Sequence, residues 1–231
     1  IMKIISLKNK FVDTLTKCKY KVFKKELLEI LSQNSDYFDY GSGYFYQSLS
    51  NINLSGLRNS RKRIEAYNFN QFIKSKKILD VGTNTGFLLM ERNNFASALG
   101  IDHSPNCIEV AKKTKKKLNL KNVDFICGNF LDYKFNRKFD VILSLANHHT
   151  FDKGIKNPQH YLLTIDKNLK SKGGVLILES HHPSFEKKED FKKVETFVEK
   201  ELFYKLESSK ILKTGNYYDD GRKINFYRKN N

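Results

Sequence analysis

Asp80-Val81-Gly82-Thr83-Asn84-Thr85-Gly86 follows the apolar run Lys77-Ile78-Leu79 and leads into Phe87-Leu88-Leu89-Met90. The pattern reads as a buried strand that ends in a glycine-bearing turn and opens a helix. In open α/β sheets such a turn lies at the carboxyl end of a strand, where ligands bind. Its glycines let backbone amides approach a ligand closely, and the helix N-terminus adds a positive field. A dinucleotide fingerprint would place glycines at 82, 84 and 87. Asn84 and Phe87 occupy two of those positions, and the spacing is D-x-G-x-x-x-G instead.

Working outward, the unit of strand, turn and helix repeats. Ala98-Leu99-Gly100-Ile101-Asp102 is a second strand, and Ser104-Pro105 opens a lysine-rich helix that runs to about Leu118. Further strands are expected at 123–126, 139–143 and 174–178, with a helix at 159–169 before the last. Apolar runs alternating with helices argue for a parallel α/β sheet. A helix at 188–203 precedes a terminal antiparallel hairpin, 206–212 and 223–227, around the Asp219-Asp220-Gly221 turn. Phe191, Phe197 and Phe203 are expected to pack that helix. Upstream, Phe11, Leu15, Tyr20, Phe23, Leu27 and Leu31 fall at mostly helical spacings, and 64–73 reads as another helix. Residues 1–74 are therefore taken as a helical extension with a lid or lead-in segment, and 75–231 as the α/β domain.

From about residue 75 to 229 the chain resembles the class I S-adenosylmethionine (SAM) dependent methyltransferases. The resemblance rests on the D-x-G-x-x-x-G turn, Asp102 ending the second strand, Gly128-Asn129-Phe130 after the third and Asp140-Val141-Ile142 opening the fourth. It implies a Rossmann-like sheet, mostly parallel with an antiparallel C-terminal strand. It also implies SAM as cofactor and S-adenosylhomocysteine (SAH) as product. Asp80, Gly82, Asn84 and Gly86 would hold the methionine part of the cofactor, and Asp102 the ribose hydroxyls. His103, Asn129, Phe130 and Leu145 would flank the adenine and the methyl-bearing end. Two positions depart from the family pattern: Asn84 stands for a middle glycine, and Asn129 for the usual aspartate, though an amide oxygen still accepts from an amine.

The acceptor side should be built at the ends of the fourth and fifth strands. The fourth runs into Asn147-His148-His149 and the fifth into Glu179-Ser180-His181-His182, so four of the six histidines fall there. Imidazole titrates near neutrality and can take a hydroxyl proton. His148 or His149 is expected to act as general base, with His181 and Glu179 orienting the acceptor or the base. No metal is expected, because adjacent His-His pairs splay apart and no carboxylate-rich cluster accompanies them. Asn147-His148-His149 matches neither the Asn/Asp-Pro-Pro-aromatic motif of amide and base-amino methyltransferases nor the Pro-Cys of base-C5 enzymes. Transfer to oxygen is favoured.

A lead-in precedes the sheet: Tyr46-Gln47, then Gly56-Leu57-Arg58-Asn59-Ser60-Arg61-Lys62-Arg63, then Tyr67. It resembles the Y-Q…G-x-R-x-[ST]-x-x-R…Y of bacterial polysaccharide and natural-product methyltransferases, including capsule phosphoramidate O-methyltransferases. Tyr46 and Gln47 would line the cofactor, and Arg58 and Arg63 are guanidinium forks suited to a carboxylate or phosphate. A small polar or anionic acceptor follows from this resemblance. A related lead-in in carboxymethyltransferases of wobble uridine supplies the alternative, methyl or carboxymethyl transfer to tRNA.

The composition sets outer bounds. The chain has 231 residues, 39% hydrophobic and 29% charged, with a formal net charge of +17. No apolar run approaches the roughly 18 residues of a membrane span, the N-terminus lacks a signal-peptide pattern, and three cysteines without CxxC spacing suit a cytoplasmic location. The surplus charge is 35 Lys against 7 Arg. Lysines mostly point into water, and arginine is scarce for phosphate recognition, so nucleic acid is the weaker partner.

Overall fold

A computed structural model describes residues 20–33, 43–92, 94–148 and 158–230. Phe11, Leu15 and His149 lie outside the described residues. The helix at 20–32 (α1) carries Phe23, Leu27, Ile30 and Leu31 on its buried face. It is followed by a short parallel pair, β1 (Phe45–Gln47) and β2 (Gly56–Arg58). The helix expected at 64–73 is two helices, α2 (Ser60–Tyr67) and α3 (Asn70–Ile73). Asn68 separates them with a left-handed φ of 54°, which asparagine tolerates better than most residues.

The main sheet then forms from β3 (Lys77–Val81), β4 (Ser97–Asp102), β5 (Val123–Cys127), β6 (Val141–Leu145), β7 (Val175–Glu179), β8 (Lys205–Ile211) and β9 (Lys223–Arg228). Its order is β5-β4-β3-β6-β7-β9-β8. The first five strands run parallel, while β9 pairs antiparallel with both β7 and β8. The fold is thus Rossmann-like, with an antiparallel C-terminal strand pair. The expected fourth strand is displaced toward its carboxyl end. Phe139 makes only an isolated bridge to Leu169, and the ladder begins at Val141.

Helices α4 (Phe87–Glu91), α5 (Pro105–Lys117), α6 (Gln159–Asn168) and α7 (Lys188–Thr196) cover the sheet. Ser104 caps α5 by accepting from the Cys107 amide at 3.3 Å, and Pro105 takes the first turn. α1 docks along α5. Asn106 donates to the Ile30 carbonyl at 2.7 Å, Lys113 meets Glu26 at 2.6 Å, and the Lys117 ammonium sits 5.3 Å from the Phe23 ring centre. Residues of α1, β1 and α2 join the core on one face of the sheet with Ile78, Leu143 and Ile177. The other face buries Leu79, Ile142, Tyr161, Leu176 and Phe191. α7 passes into a π-helical turn, Phe197–Glu201. Phe191 is buried, but Phe203 lies beyond that turn and is exposed, so it does not pack the helix as expected. Among the described residues no helix is long and apolar enough to cross a membrane.

Candidate active site

Strand order reverses at β3: β4 and β5 extend one way, β6 and β7 the other. The carboxyl ends of β3, β4 and β6 therefore meet around the 80–86 turn, the place where open sheets bind ligands. Gly82, Asn84 and Gly86 all have left-handed φ, at 67°, 54° and 69°. Asparagine can thus stand where the family has a glycine. Gly86 has a second reason to lack a side chain, since a Cβ there would come within 2.2 Å of the Phe125 ring. Gly82 packs against Asn147, with 2.8 Å between a built Cβ and the Asn147 Nδ2.

Asp80 is buried and accepts from the Thr83 hydroxyl at 2.7 Å. Burial pushes its pKa up to about 7, partly countered by the Thr83 hydroxyl and by Arg63. Asp102 accepts from the Asn84 amide at 2.7 Å and from the Ser104 amide at 3.0 Å. One carboxylate so ties the glycine turn to the start of α5. His103 is exposed, its Nδ1 3.6 Å from Asp102. Asn129 caps its own turn, accepting from the Leu131 amide at 3.1 Å and donating to Asp132 at 2.6 Å. The Phe130 ring is buried against Phe135 and Tyr161, so it serves the core. Leu145 is half-buried at the end of β6.

The lead-in folds over the turn. Gln47 is buried and accepts from the Leu88 amide at 2.9 Å, satisfying an open donor in the first turn of α4. Arg58, Arg63 and Arg222 are all buried around Glu179 and Asp219. Arg58 donates to Asp219 at 2.5 Å, to Glu179 at 2.7 Å and to the Tyr46 hydroxyl at 3.2 Å. Arg63 donates to the Tyr67 hydroxyl at 2.9 Å and to Glu179 at 3.3 Å, and Arg222 reaches Glu179 at 3.2 Å. The Tyr67 hydroxyl also donates to Glu179. Burial alone would raise the Glu179 pKa, but the three guanidinium groups hold it well below the usual carboxylate range.

This arrangement differs from expectation in two ways. Glu179 does not orient a histidine, because its carboxylate is fully engaged by arginines. Arg58 spends its donors on protein groups, whereas the buried Nη1 of Arg63 has no hydrogen-bond partner among the described residues.

At the acceptor end, Asn147 donates to the Val81 carbonyl and accepts from Ser144 at 2.9 Å and Tyr161 at 2.8 Å. It locks the end of β6 beneath the Gly82 turn. His148 follows it, buried, with Nε2 2.5 Å from Glu186 and its ring 5.6 Å from Phe191. The other oxygen of Glu186 accepts from the His181 amide at 2.6 Å. The His181 Nδ1 accepts from the His182 amide at 2.8 Å. Glu186, Asp219 and Arg222 escaped the sequence reading. Only the proximity of Glu186 to the His181-His182 pair hinted at its place.

A family profile described as "Methyltransferase domain" matches residues 73–220. The release factor glutamine methyltransferase of Buchnera aphidicola subsp. Schizaphis graminum is 36% identical over 72 residues, covering 30% of this chain and 26% of that protein. The demethylmenaquinone methyltransferase of Lactococcus lactis subsp. lactis is 32% identical over 115 residues, 46% of this chain and 43% of its own length. The chain thus spans less than half the length of these curated relatives. The N-methyltransferase NodS from Bradyrhizobium japonicum, solved with SAH, has the same fold at a TM-score of 0.61 and 14% identity, over 89% of this chain and 97% of that one. The family profile covers the α/β domain from the end of α3 to the terminal hairpin turn, and the chain belongs to the SAM-dependent methyltransferases.

Proposed function

We propose that the protein transfers a methyl group to a hydroxyl oxygen of a small polar or anionic acceptor in the cytoplasm, with His148 as general base. The observation that carries this reading is the His148–Glu186 pair, 2.5 Å apart, next to the asparagine that packs on Gly82. A carboxylate on one ring nitrogen fixes the tautomer and orientation of a histidine and favours its protonated form, which suits a general base. The lead-in resemblance narrows the acceptor to a sugar or phosphoramidate, as in capsule polysaccharide biosynthesis. Segment 1–74 serves as the lid and lead-in, and 75–231 as the cofactor domain.

The residues present fit SAM. When bound, the cofactor supplies an electrophilic methyl group on a sulfonium. The Asp102 carboxylate suits a vicinal diol. Gly82 is exposed in the 80–86 turn, so its backbone can meet a ligand, and the buried Nη1 of Arg63, unpaired among the described residues, is a donor suited to a carboxylate. Asp80 supplies the negative charge for an ammonium. Its raised pKa sets a trade-off. A carboxyl whose folded pKa exceeds its unfolded value destabilises the fold as pH rises between the two. Asp80→Asn is therefore expected to raise the melting temperature of the cofactor-free protein more at pH 8 than at pH 4, while weakening SAH binding at pH 8. Thermal denaturation and calorimetric titration at both pH values check this, and an equal shift at both would refute it.

His148→Ala is expected to slow transfer by about 100-fold or more, with SAH affinity kept within about threefold and partial rescue by added imidazole. Glu186→Gln should lower kcat and leave SAH affinity in place, because Glu186 positions the base, holding His148 and the His181 amide. The direct assay incubates the protein and methyl-labelled SAM with a small-metabolite pool and, separately, with total RNA. Label in the small-molecule fraction is the expected result. Label in RNA would replace this reading with the second one, tRNA modification, which the +17 charge favours.

A further inference from the structure

Two large aromatic side chains beside the base pair are exposed: Phe185 at 73% and Tyr217 at 66%. They come from different elements, Phe185 from the turn after β7 and Tyr217 from the β8–β9 connection. The buried ring of His182 joins them, 6.3 Å from Phe185 and 4.7 Å from Tyr217. Both turns are fixed. The Phe185 and Ser184 amides donate to the His182 carbonyl at 2.8 Å and the His182 Nδ1 at 3.1 Å. The turn of Tyr217 is held to the lead-in by Asn216 on the Leu57 carbonyl at 2.8 Å and by Asp219 on Arg58. Each ring packs against a histidine yet leaves most of its apolar surface in water, and exposed rings on rigid supports suit a binding surface.

The platform borders an open cleft of about 1160 Å³, lined by Ser180, His181, Pro183, Glu186 and the α7 side chains. Glu186 follows Phe185 directly, so the platform and the base share one turn. The charged groups lining the cleft are nearly balanced, five lysines against four glutamates, in a chain whose net charge is +17. A nucleic-acid strand would select a one-signed wall. A neutral polyhydroxylated ring needs a flat apolar partner for its C–H face and donors and acceptors of both signs for its hydroxyls.

We infer that Phe185 and Tyr217 form the acceptor platform of this enzyme, and that the acceptor is a carbohydrate whose ring stacks there, beside the turn that carries Glu186. This rests on the O-methyltransferase reading, selects the sugar within it and adds two specificity residues.

The chain has no tryptophan, so Phe185→Trp places a single reporter on the platform. SAH-saturated Phe185→Trp protein would be titrated with methyl glycosides of glucose, galactose, mannose and N-acetylglucosamine, with AMP and UMP, and with a single-stranded 12-nucleotide RNA. A saturable change in emission with at least one glycoside is expected. No response to any glycoside, or saturation by RNA or a nucleotide alone, would overturn the inference. With a glycoside that binds, the Phe185→Ala/Tyr217→Ala double variant should raise the acceptor KM roughly tenfold, with SAH affinity within twofold. Both side chains are exposed, so an unchanged melting temperature verifies folding. An unchanged KM would sink the platform while leaving the methyltransferase reading intact. Binding of a glycoside without methylation by the wild type would do the reverse.

Discussion

Glu179→Gln is expected to destabilise the fold by about 3–5 kcal/mol, a fall of roughly 6–20 °C in melting temperature for a chain of this size. The substitution keeps the shape of the side chain and removes one charge. That charge is completely buried and meets Arg58, Arg63 and Arg222, with the Tyr67 hydroxyl as a further donor. Without it, Asp219 is the one carboxylate among the described residues still ion-paired with any of these three guanidinium groups. The interior would hold two uncompensated positive charges, and burial makes each expensive. The pH dependence tests the cause. Glu179 has a folded pKa below its unfolded value, so its contribution is present above the ordinary carboxylate range and is lost as pH falls through the folded pKa. The stability gap between wild type and variant should therefore be full at pH 7 and start to narrow below about pH 4. Urea unfolding followed by circular dichroism measures both. A gap under 1 kcal/mol at pH 7 would show that the cluster is a bystander.

The same cluster marks where the sequence stops being readable. The 80–86 turn was legible because its conformation is local: Gly82, Asn84 and Gly86 are residue types that accept a positive φ, and all three have one. The central parallel strands β3, β6 and β7 were legible because they are buried on both faces and so lack alternation, whereas the edge strand β5 alternates. The partnership of Arg58 with Glu179 spans 121 residues and with Asp219 spans 161. No spacing rule connects such positions. Arg58 and Arg63 were visible as forks for an anion, but whether that anion is a ligand or a protein carboxylate depends on how the lead-in closes over β7. Glu186 is the same kind of case. The histidines advertise themselves by type, whereas the carboxylate that holds His148 is one of many glutamates until the turn after β7 brings it within 2.5 Å. Strand ends misled for a simpler reason. Phe139 is as apolar as a ladder residue, yet its backbone donates to Asn168 and accepts from Lys170, outside the main ladder.

Asp102→Ala is expected to weaken SAH binding by at least about 100-fold, or roughly 2.7 kcal/mol. Two effects act at this position. The carboxylate ends β4, where the family resemblance puts the ribose diol, and it also accepts from the Asn84 and Ser104 amides. The alanine variant loses the first interaction and frees both amides, which loosens the glycine turn. Asp102→Asn is no milder test, since at least one amide would then face a donor in place of an acceptor oxygen. Separating direct contact from loop support needs a ligand pair that differs only at the ribose. Wild-type protein should bind adenosine more tightly than 3′-deoxyadenosine, because a carboxylate built for a diol is left with an unpaired oxygen by the deoxy sugar. The alanine variant should bind the two equally weakly. If Asp102 only supports the loop, both ligands lose affinity in parallel and the discrimination persists in the variant. That outcome would move the ribose contact to another residue, and His103, exposed beside Asp102 with Nδ1 3.6 Å from it, would be the first to replace next.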